Sequence, residues 1–442
     1  MLNLKSAARA LATLAACCVV AIAASNAMAA NNTPPSADPF YSYDGSTPLA
    51  SIAPGTVLKT RDVSYHVASL AFPLKTTQLL YRSTSQIGEP TVNVTTVVQP
   101  LFKIFGPRKV ISYQSAYDSL SSNDDPSYAI SGGLTLGGIL PAAETALIAP
   151  FLLKGYAVVI SDTEGEGADF AAGPEYGMNT LDSIRAAFNS SSSGFSATSK
   201  VGLIGYSGGA IATEWASELA PTYAPDVNRR LVGAAMGGVL VHPAHNLHYV
   251  DGSTIWAGVM PMAVVGIARA FHVDLKPYLS DYGLEVYDKI ENSSIIQVLG
   301  AYPGLTWTQL AKPEYSTPES IPVYVQVANQ LIMGTGGTPK IPLFIGQGAN
   351  GALEGTPNDK PGIGPGDGVM IAGDVRSLAR KYCAAGVKVT YNQYDNLSHV
   401  TSIAAWLPRA ITWMTSRFST TYVTQNCSSI APGNPLDPIA AP

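Results

Sequence analysis

Apolar positions along this chain fall into a repeating order of short continuous runs and longer amphipathic stretches. Residues 56–63 and 77–85 alternate apolar and polar side chains, the pattern of half-buried strands. Residues 89–100 and 109–113 read as two more, so the chain opens with antiparallel strands. Residues 142–153 are apolar and helical in composition. Gly155-Tyr156-Ala157-Val158-Val159-Ile160-Ser161-Asp162 then has no alternation, as a strand buried on both faces requires. Leu181, Ile184, Ala187 and Phe188 give 177–189 one apolar helical face. Core strands follow at 200–204, 231–238, 340–348 and 388–394, with helices from Ala210, over 371–383 and over 402–418. Strands alternating with helices predict an α/β fold: a mostly parallel sheet with right-handed crossovers and helices on both faces.

The rhythm breaks between 242 and 322, a helix-rich insertion. Its segment 253–271 is the most apolar stretch beyond the N-terminus and carries no charge before Arg269. It reads either as a cap lining an acyl pocket or as an ordinary buried helix pair. The N-terminus reads as a targeting segment: Lys5 and Arg9, an apolar run over 11–24, and the small-residue site Ala27-Met28-Ala29. That run is too short to span a bilayer. Leu14-Ala15-Ala16-Cys17 resembles a lipoprotein box, but the apolar region continues past Cys17. The expected organisation is a signal peptide at 1–29, the first part of an α/β core at 30–241, a helical cap at 242–322 and the second part of the core at 323–442. Secretion, extracellular or periplasmic, follows from the signal.

Composition adds limits. With 442 residues, 46% of them hydrophobic and only 13% charged, the chain can bury a large core. A net charge of −5 without a basic stripe argues against nucleic acid as a partner. Once the signal is removed, Cys383 and Cys427 remain as an even pair in an oxidising compartment, so a disulfide tying the C-terminal tail to the helix before it is expected; two free buried thiols are the alternative.

The candidate chemistry centres on Gly205-Tyr206-Ser207-Gly208-Gly209. Glycine makes up 41 of the 442 residues, so the Gly-x-Ser-x-Gly pentapeptide alone is weak. The strand before it and the helix after it are what a nucleophile elbow needs, with Ser207 exposed at the turn and the Gly208 amide aimed at a developing oxyanion. In α/β hydrolases the partners follow in the order serine, acid, histidine. Here His399 follows the last strand, where a loop can swing its imidazole over the serine. Asp367 lies in the loop after the preceding strand, at a loop-to-helix transition. Asp359, Asp374 and Asp395 are the other acids near it, and Asp374 should point outward from its helix. Asp118, in the loop after the strand 109–113, occupies the usual place of a second oxyanion donor. An ionised carboxylate cannot donate, so it would have to be protonated or act through its amide; the other reading is a loop Asp capping its own turn. His242, His245 and His248 share no helical face and Pro243 interrupts them, so no metal site is expected.

These residues in this order resemble the secretory lipase family of the Candida antarctica lipase A type, over nearly the whole mature chain, and the chain reads as a bacterial member. The likeness is carried by Ser112-Tyr113 through Tyr117-Asp118-Ser119, by Leu181-Asp182-Ser183-Ile184-Arg185-Ala186-Ala187, by the elbow continuing through Trp215 to Glu218-Leu219-Ala220-Pro221-Thr222-Tyr223-Ala224-Pro225, and by Asp367 through Tyr382-Cys383 to His399. The resemblance implies hydrolysis of carboxylic esters, triacylglycerols included, through Ser207, His399 and Asp367. It also implies Asp118 and Gly208 at the oxyanion, a helical cap, and neither metal nor cofactor. Its partners would be lipid or small-ester substrates, with transient contact at a lipid interface; the oligomeric state is open. The loop 349–366 departs from the family pattern as an insertion. Other uses of the same residues are a short-chain esterase, an acyltransferase or peptidase, and a non-catalytic binding protein on this scaffold.

Overall fold

The computed structural model describes residues 33–440 except 68, 103, 104 and 359; the signal-like segment, with Cys17, and the candidate acid Asp359 lie outside the described residues. Among the described residues nine strands form one sheet: β1 (Val57–Val67), β2 (Leu70–Thr84), β3 (Pro90–Val98), β4 (Lys109–Gln114), β5 (Ala157–Ser161), β6 (Lys200–Tyr206), β7 (Leu231–Gly237), β8 (Leu343–Gly348) and β9 (Val389–Tyr394), in the order β1-β2-β3-β5-β4-β6-β7-β8-β9. β1, β2, β3 and β5 pair antiparallel. From β5 through β4 to β9 every pairing is parallel. The continuous apolar run of β5 is explained by its place inside the sheet, buried at every position.

The pleat sends successive side chains to opposite faces. Val110, Leu203, Ala234 and Val159 face one cluster, with Leu181 and Ile184 of α4 (Gly173–Asn189), Ile211 and Trp215 of α5 (Gly208–Leu219) and Leu378 of α13 (Ala372–Ala384). Their neighbours Ile111, Ile204, Ala235 and Ile160 face the other, with Ile130 of α1 (Pro126–Ile130), Phe151 of α3 (Ala149–Leu153) and Trp406 and Trp413 of α14 (His399–Arg417). Trp406 is 1% exposed, and its indole N–H donates to the Met236 carbonyl at 3.0 Å. Truncating such a side chain to alanine costs about 3–5 kcal/mol.

The single helix expected over 142–153 is two short ones, α2 (Ile139–Glu144) and α3. Pro150 cannot donate an amide and clashes one turn back, so it sits in the first turn of a new helix instead. Residues 33–52 carry three 3-10 turns, two of them packed on β3, where Phe40, Tyr41 and Leu49 meet Leu80, Val92 and Val94; Arg61 reaches Asp38 at 2.5 Å and stacks on Phe40. Short α6 (Pro225–Asn228) precedes β7.

Between β7 and β8 lie α7 (Pro243–Val250), α8 (Val259–Ala270), α9 (Asp281–Ile290), α10 (Ile295–Val298), α11 (Trp307–Leu310) and α12 (Pro322–Asn329). They bury a cluster that includes Leu247, Met260, Val265, Val298 and Tyr324 and takes in Leu120, Phe170 and Val369 from outside the segment. The apolar stretch 253–271 is helical only from Val259; before it, irregular backbone carries Trp256. A disulfide joins Cys383, near the end of α13, to Cys427. The tail beyond it crosses from the core to the inserted helices: Asn434 donates to Asp374 at 2.7 Å, and Asn329 of α12 exchanges two hydrogen bonds with Ile439 at 2.8 and 2.9 Å.

Candidate active site

β6 ends at Tyr206 and α5 begins at Gly208, leaving Ser207 alone at the turn with φ 54° and ψ −121°. Positive φ on a residue with a side chain costs about 1–3 kcal/mol. The turn is held from both sides: the Ser207 amide donates to the Gly237 carbonyl at 2.9 Å, and its carbonyl accepts from Ala210 at 2.8 Å. The strain lifts Oγ clear of the helix that follows.

Ser207 Oγ stands 2.8 Å from His399 Nε2, and His399 Nδ1 stands 2.9 Å from Asp367 Oδ2. The histidine is not in a swinging loop as the sequence implies. It is the first residue of α14, with Ser398 as N-cap in a reciprocal capping box with Thr401. Its amide donates to the Asp367 carbonyl at 2.7 Å and its carbonyl accepts from Tyr206 Oη at 2.6 Å. The ring lies between Tyr206 and Trp256, each 5.2 Å away between centroids. Burial pulls the imidazole's pKa down, but Asp367, Glu354 and Asp118 outweigh it and leave it above the ordinary value.

Asp367 is fully buried. Besides facing His399, its carboxylate accepts from Met370 N at 2.8 Å, Val369 N at 3.2 Å and Gln347 Nε2 at 2.8 Å. Those donors satisfy an acceptor-only group and fix the oxygen that meets the imidazole. The other candidate acids among the described residues point elsewhere. Asp374 is buried rather than turned outward, because His245 Nδ1 at 3.0 Å and Asn434 cover it. Asp395 accepts from Gln393 at 2.6 Å on the exposed side of β9.

Asp118 follows β4 with φ 33°. A Cβ on Gly208 would come within 1.8 Å of Asp118 Oδ1, so the carboxyl lies directly on the start of α5 and only glycine leaves room for it. Burial pushes the Asp118 carboxyl up to about 7; nearby His399 opposes the shift and Glu144 adds to it. Near neutral pH it therefore holds a proton much of the time and can donate, which an ordinary aspartate cannot. Its backbone is pinned to the inserted helices, its carbonyl accepting from Ile295 N at 2.8 Å.

The three histidines of the insertion have separate partners. His242 stacks on His245 at 3.8 Å and its Nε2 lies 3.2 Å from the Asp437 carbonyl, His245 meets Asp374, and His248 meets Glu319 at 2.7 Å. Sequence reasoning missed Gln347, Trp256 and Glu354. Gln347 was visible as the amide ending an otherwise apolar strand, and Glu354 as the one charge in 349–357. An apolar cavity is lined by Leu240, Leu247, Met260, Val264, Ile267 and Val369 among others, and meets the site at Val369, whose amide donates to Asp367.

Comparison with known proteins bears on the fold and the family. The sequence profile described as "Secretory lipase" matches residues 132–426. Lipase 4 of Candida albicans is 30% identical over 409 residues, covering 90% of this chain and 84% of that one. A Mycobacterium tuberculosis protein named "Probable inactive lipase MT1628" is 32% identical over 398 residues, covering 87% and 82%. Among solved structures, Candida antarctica lipase A in its closed state superposes with a TM-score of 0.79 at 28% identity, covering 94% of this chain and 92% of that one. The architecture is thus that of an α/β hydrolase like Candida antarctica lipase A. With a profile matched over two thirds of its length and relatives aligned across most of it, this chain belongs to the secretory lipase family.

Proposed function

We propose that this protein is a secreted serine hydrolase that cleaves carboxylic esters, with acylglycerols as its substrate class. The observation that carries the reading is the hydrogen-bonded line from Ser207 Oγ through His399 to Asp367. His399 Nε2 takes the hydroxyl proton as Oγ attacks the ester carbonyl, and Asp367 holds the imidazole in orientation and stabilises the imidazolium. The Gly208 amide and protonated Asp118 hold the oxyanion. The proton on His399 then passes to the leaving alcohol, giving an acyl-Ser207 intermediate. Water, deprotonated by His399, attacks that acyl group and releases the carboxylic acid and free Ser207.

Two features favour long acyl chains. The apolar cavity, which meets the site at Val369, offers acyl carbons a surface against a helical cap formed by residues 242–322. Leu134, Leu136, Ile139, Ile296, Leu353 and Val400 are exposed on segments that adjoin the site, and 131–143, 292–311 and 396–408 carry no Asp, Glu, Lys or Arg. An uncharged apolar flank suits a lipid surface. The family and the signal-like segment support secretion, and the Mycobacterium relative supports a bacterial source.

The test is hydrolysis of p-nitrophenyl esters from acetate to palmitate and of triolein, with Ser207→Ala beside the wild type. Activity extending to palmitate and triolein, and falling by about four orders of magnitude or more in the variant, is the expected result. Activity confined to short chains would make the protein an esterase with a closed pocket. Equal rates in both proteins would end the serine-hydrolase reading, and the relative named as inactive gives that control weight.

A further inference from the structure

We infer that Glu354, from the loop that departs from the family pattern, is a positioning residue that sets the orientation and charge of His399. The inference rests on the ester-hydrolase reading of Ser207, His399 and Asp367. Glu354 is 7% exposed, and both of its oxygens accept hydrogen bonds. Oε1 accepts from Val400 N at 2.9 Å, the amide next after His399 in the first turn of α14. Oε2 accepts from Trp256 Nε1 at 2.8 Å, and the Trp256 ring stands edge-on to the His399 ring at 82°. A Cβ on Gly368, the residue after Asp367, would come within 2.8 Å of both Glu354 Oε2 and Trp256 Nε1. One carboxylate thus joins three parts of the fold: the start of the histidine helix, the inserted segment with its tryptophan, and the acid loop. A negative charge at a helix N-terminus is favourable in itself. Near enough to the imidazole to act on its charge, it also favours the imidazolium that forms when Ser207 attacks.

The charged and titratable groups facing His399 are Asp367 from the acid loop, Glu354 from the loop after β8, Asp118 from the loop after β4, and Tyr206 from the end of β6. Of the carboxylates, Asp367 and Glu354 raise the imidazole most. Activity requires neutral His399, so it falls as the pH drops through the imidazole's pKa. A charge that favours the imidazolium holds that acid limb at higher pH, and removing it moves the limb down.

The experiment is kcat and KM on a soluble short-chain ester, p-nitrophenyl butyrate, from about pH 4 to about pH 9, for wild type, Glu354→Gln, Glu354→Asp and Ser207→Ala, with melting temperatures alongside. In Glu354→Gln the acid limb moves to lower pH, and kcat on the plateau falls about tenfold with KM little changed. In Glu354→Asp the charge remains, so the limb stays near the wild-type position, while the shorter arm cannot span Trp256 and Val400 and kcat falls. A folded Glu354→Gln with the wild-type limb and kcat overturns the inference. If the glutamine variant does not fold, wild-type kcat in Glu354→Asp overturns it. In each case inactivity of Ser207→Ala keeps the ester-hydrolase reading standing; activity there fails that reading instead.

Discussion

At the scale of single residues, Asp118 is the most informative side chain. A buried carboxyl pushed up to about 7 is an acid at mildly acidic pH and a base above neutrality. If its proton is what stabilises the oxyanion, the alkaline side of the rate profile belongs to Asp118 and the acid side to His399. Asp118→Ala should lower kcat by about 10²–10³, the usual cost of losing one oxyanion donor. Asp118→Asn supplies a donor that does not titrate. It should recover part of the lost activity and move the alkaline limb to higher pH. Rate profiles of the three proteins decide it, and an unshifted alkaline limb in Asp118→Asn would remove Asp118 from the role.

At the scale of elements, the first turn of α14 and the Cys383–Cys427 disulfide hold the histidine side of the site. α14 starts at His399 because Ser398 caps it, so the imidazole rests on a rigid helix packed through Trp406 and Trp413. The disulfide closes a separation of 44 residues that contains His399. In the chain-entropy model a loop of that length stabilises by about 4 kcal/mol. Replacing both cysteines by serine should lower the melting temperature by several degrees and release the tail beyond 427, exposing it to proteolysis. An unchanged melting temperature and an uncut tail would mean that the tail's hydrogen bonds to Asp374 and Asn329 suffice without the covalent tie.

At the scale of the whole molecule, the unusual feature is how many carboxyls are buried. Asp118, Glu144 and Asp162 are each pushed up to about 7 by burial, and Asp169 and Asp182 to about 6, burial outweighing the cationic groups beside four of the five: His399 at Asp118, Arg61 at Asp162, Arg269 at Asp169 and Arg185 at Asp182. Each prefers its proton when folded, so its contribution to stability is complete below the ordinary carboxylate range and is lost as pH rises through about 6 to 7. His399 and His248, both raised, act in the same direction; His242, lowered by burial, acts against it. The melting temperature should therefore fall on going from about pH 5 to about pH 8. Scanning calorimetry of the Ser207→Ala variant across that range checks it, and a flat or rising curve would show that these carboxyls ionise at little cost.

Much of this was legible in the chain itself. The strand and helix rhythm determined the parallel half of the sheet, because a strand buried on both faces must be apolar throughout and a flanking helix must be apolar on one side. Gly-Tyr-Ser-Gly-Gly between such elements located Ser207, and the order of elements pointed to His399 and to Asp367 among four nearby acids. Local chemistry misled where tertiary contacts outweighed it. Asp374 looked solvent-facing until the tail and His245 covered it, and Pro150 split a helix that apolar composition alone ran together. What only the tertiary structure decided was which distant groups share a space. Glu354 and Trp256 reach His399 from loops 98 residues apart in sequence, and Asp118 meets Gly208 from the end of the neighbouring strand. A carboxyl's charge state depends on that shared space, on the water excluded from it and on the donors supplied, and none of these is a property of the residue or of its neighbours along the chain.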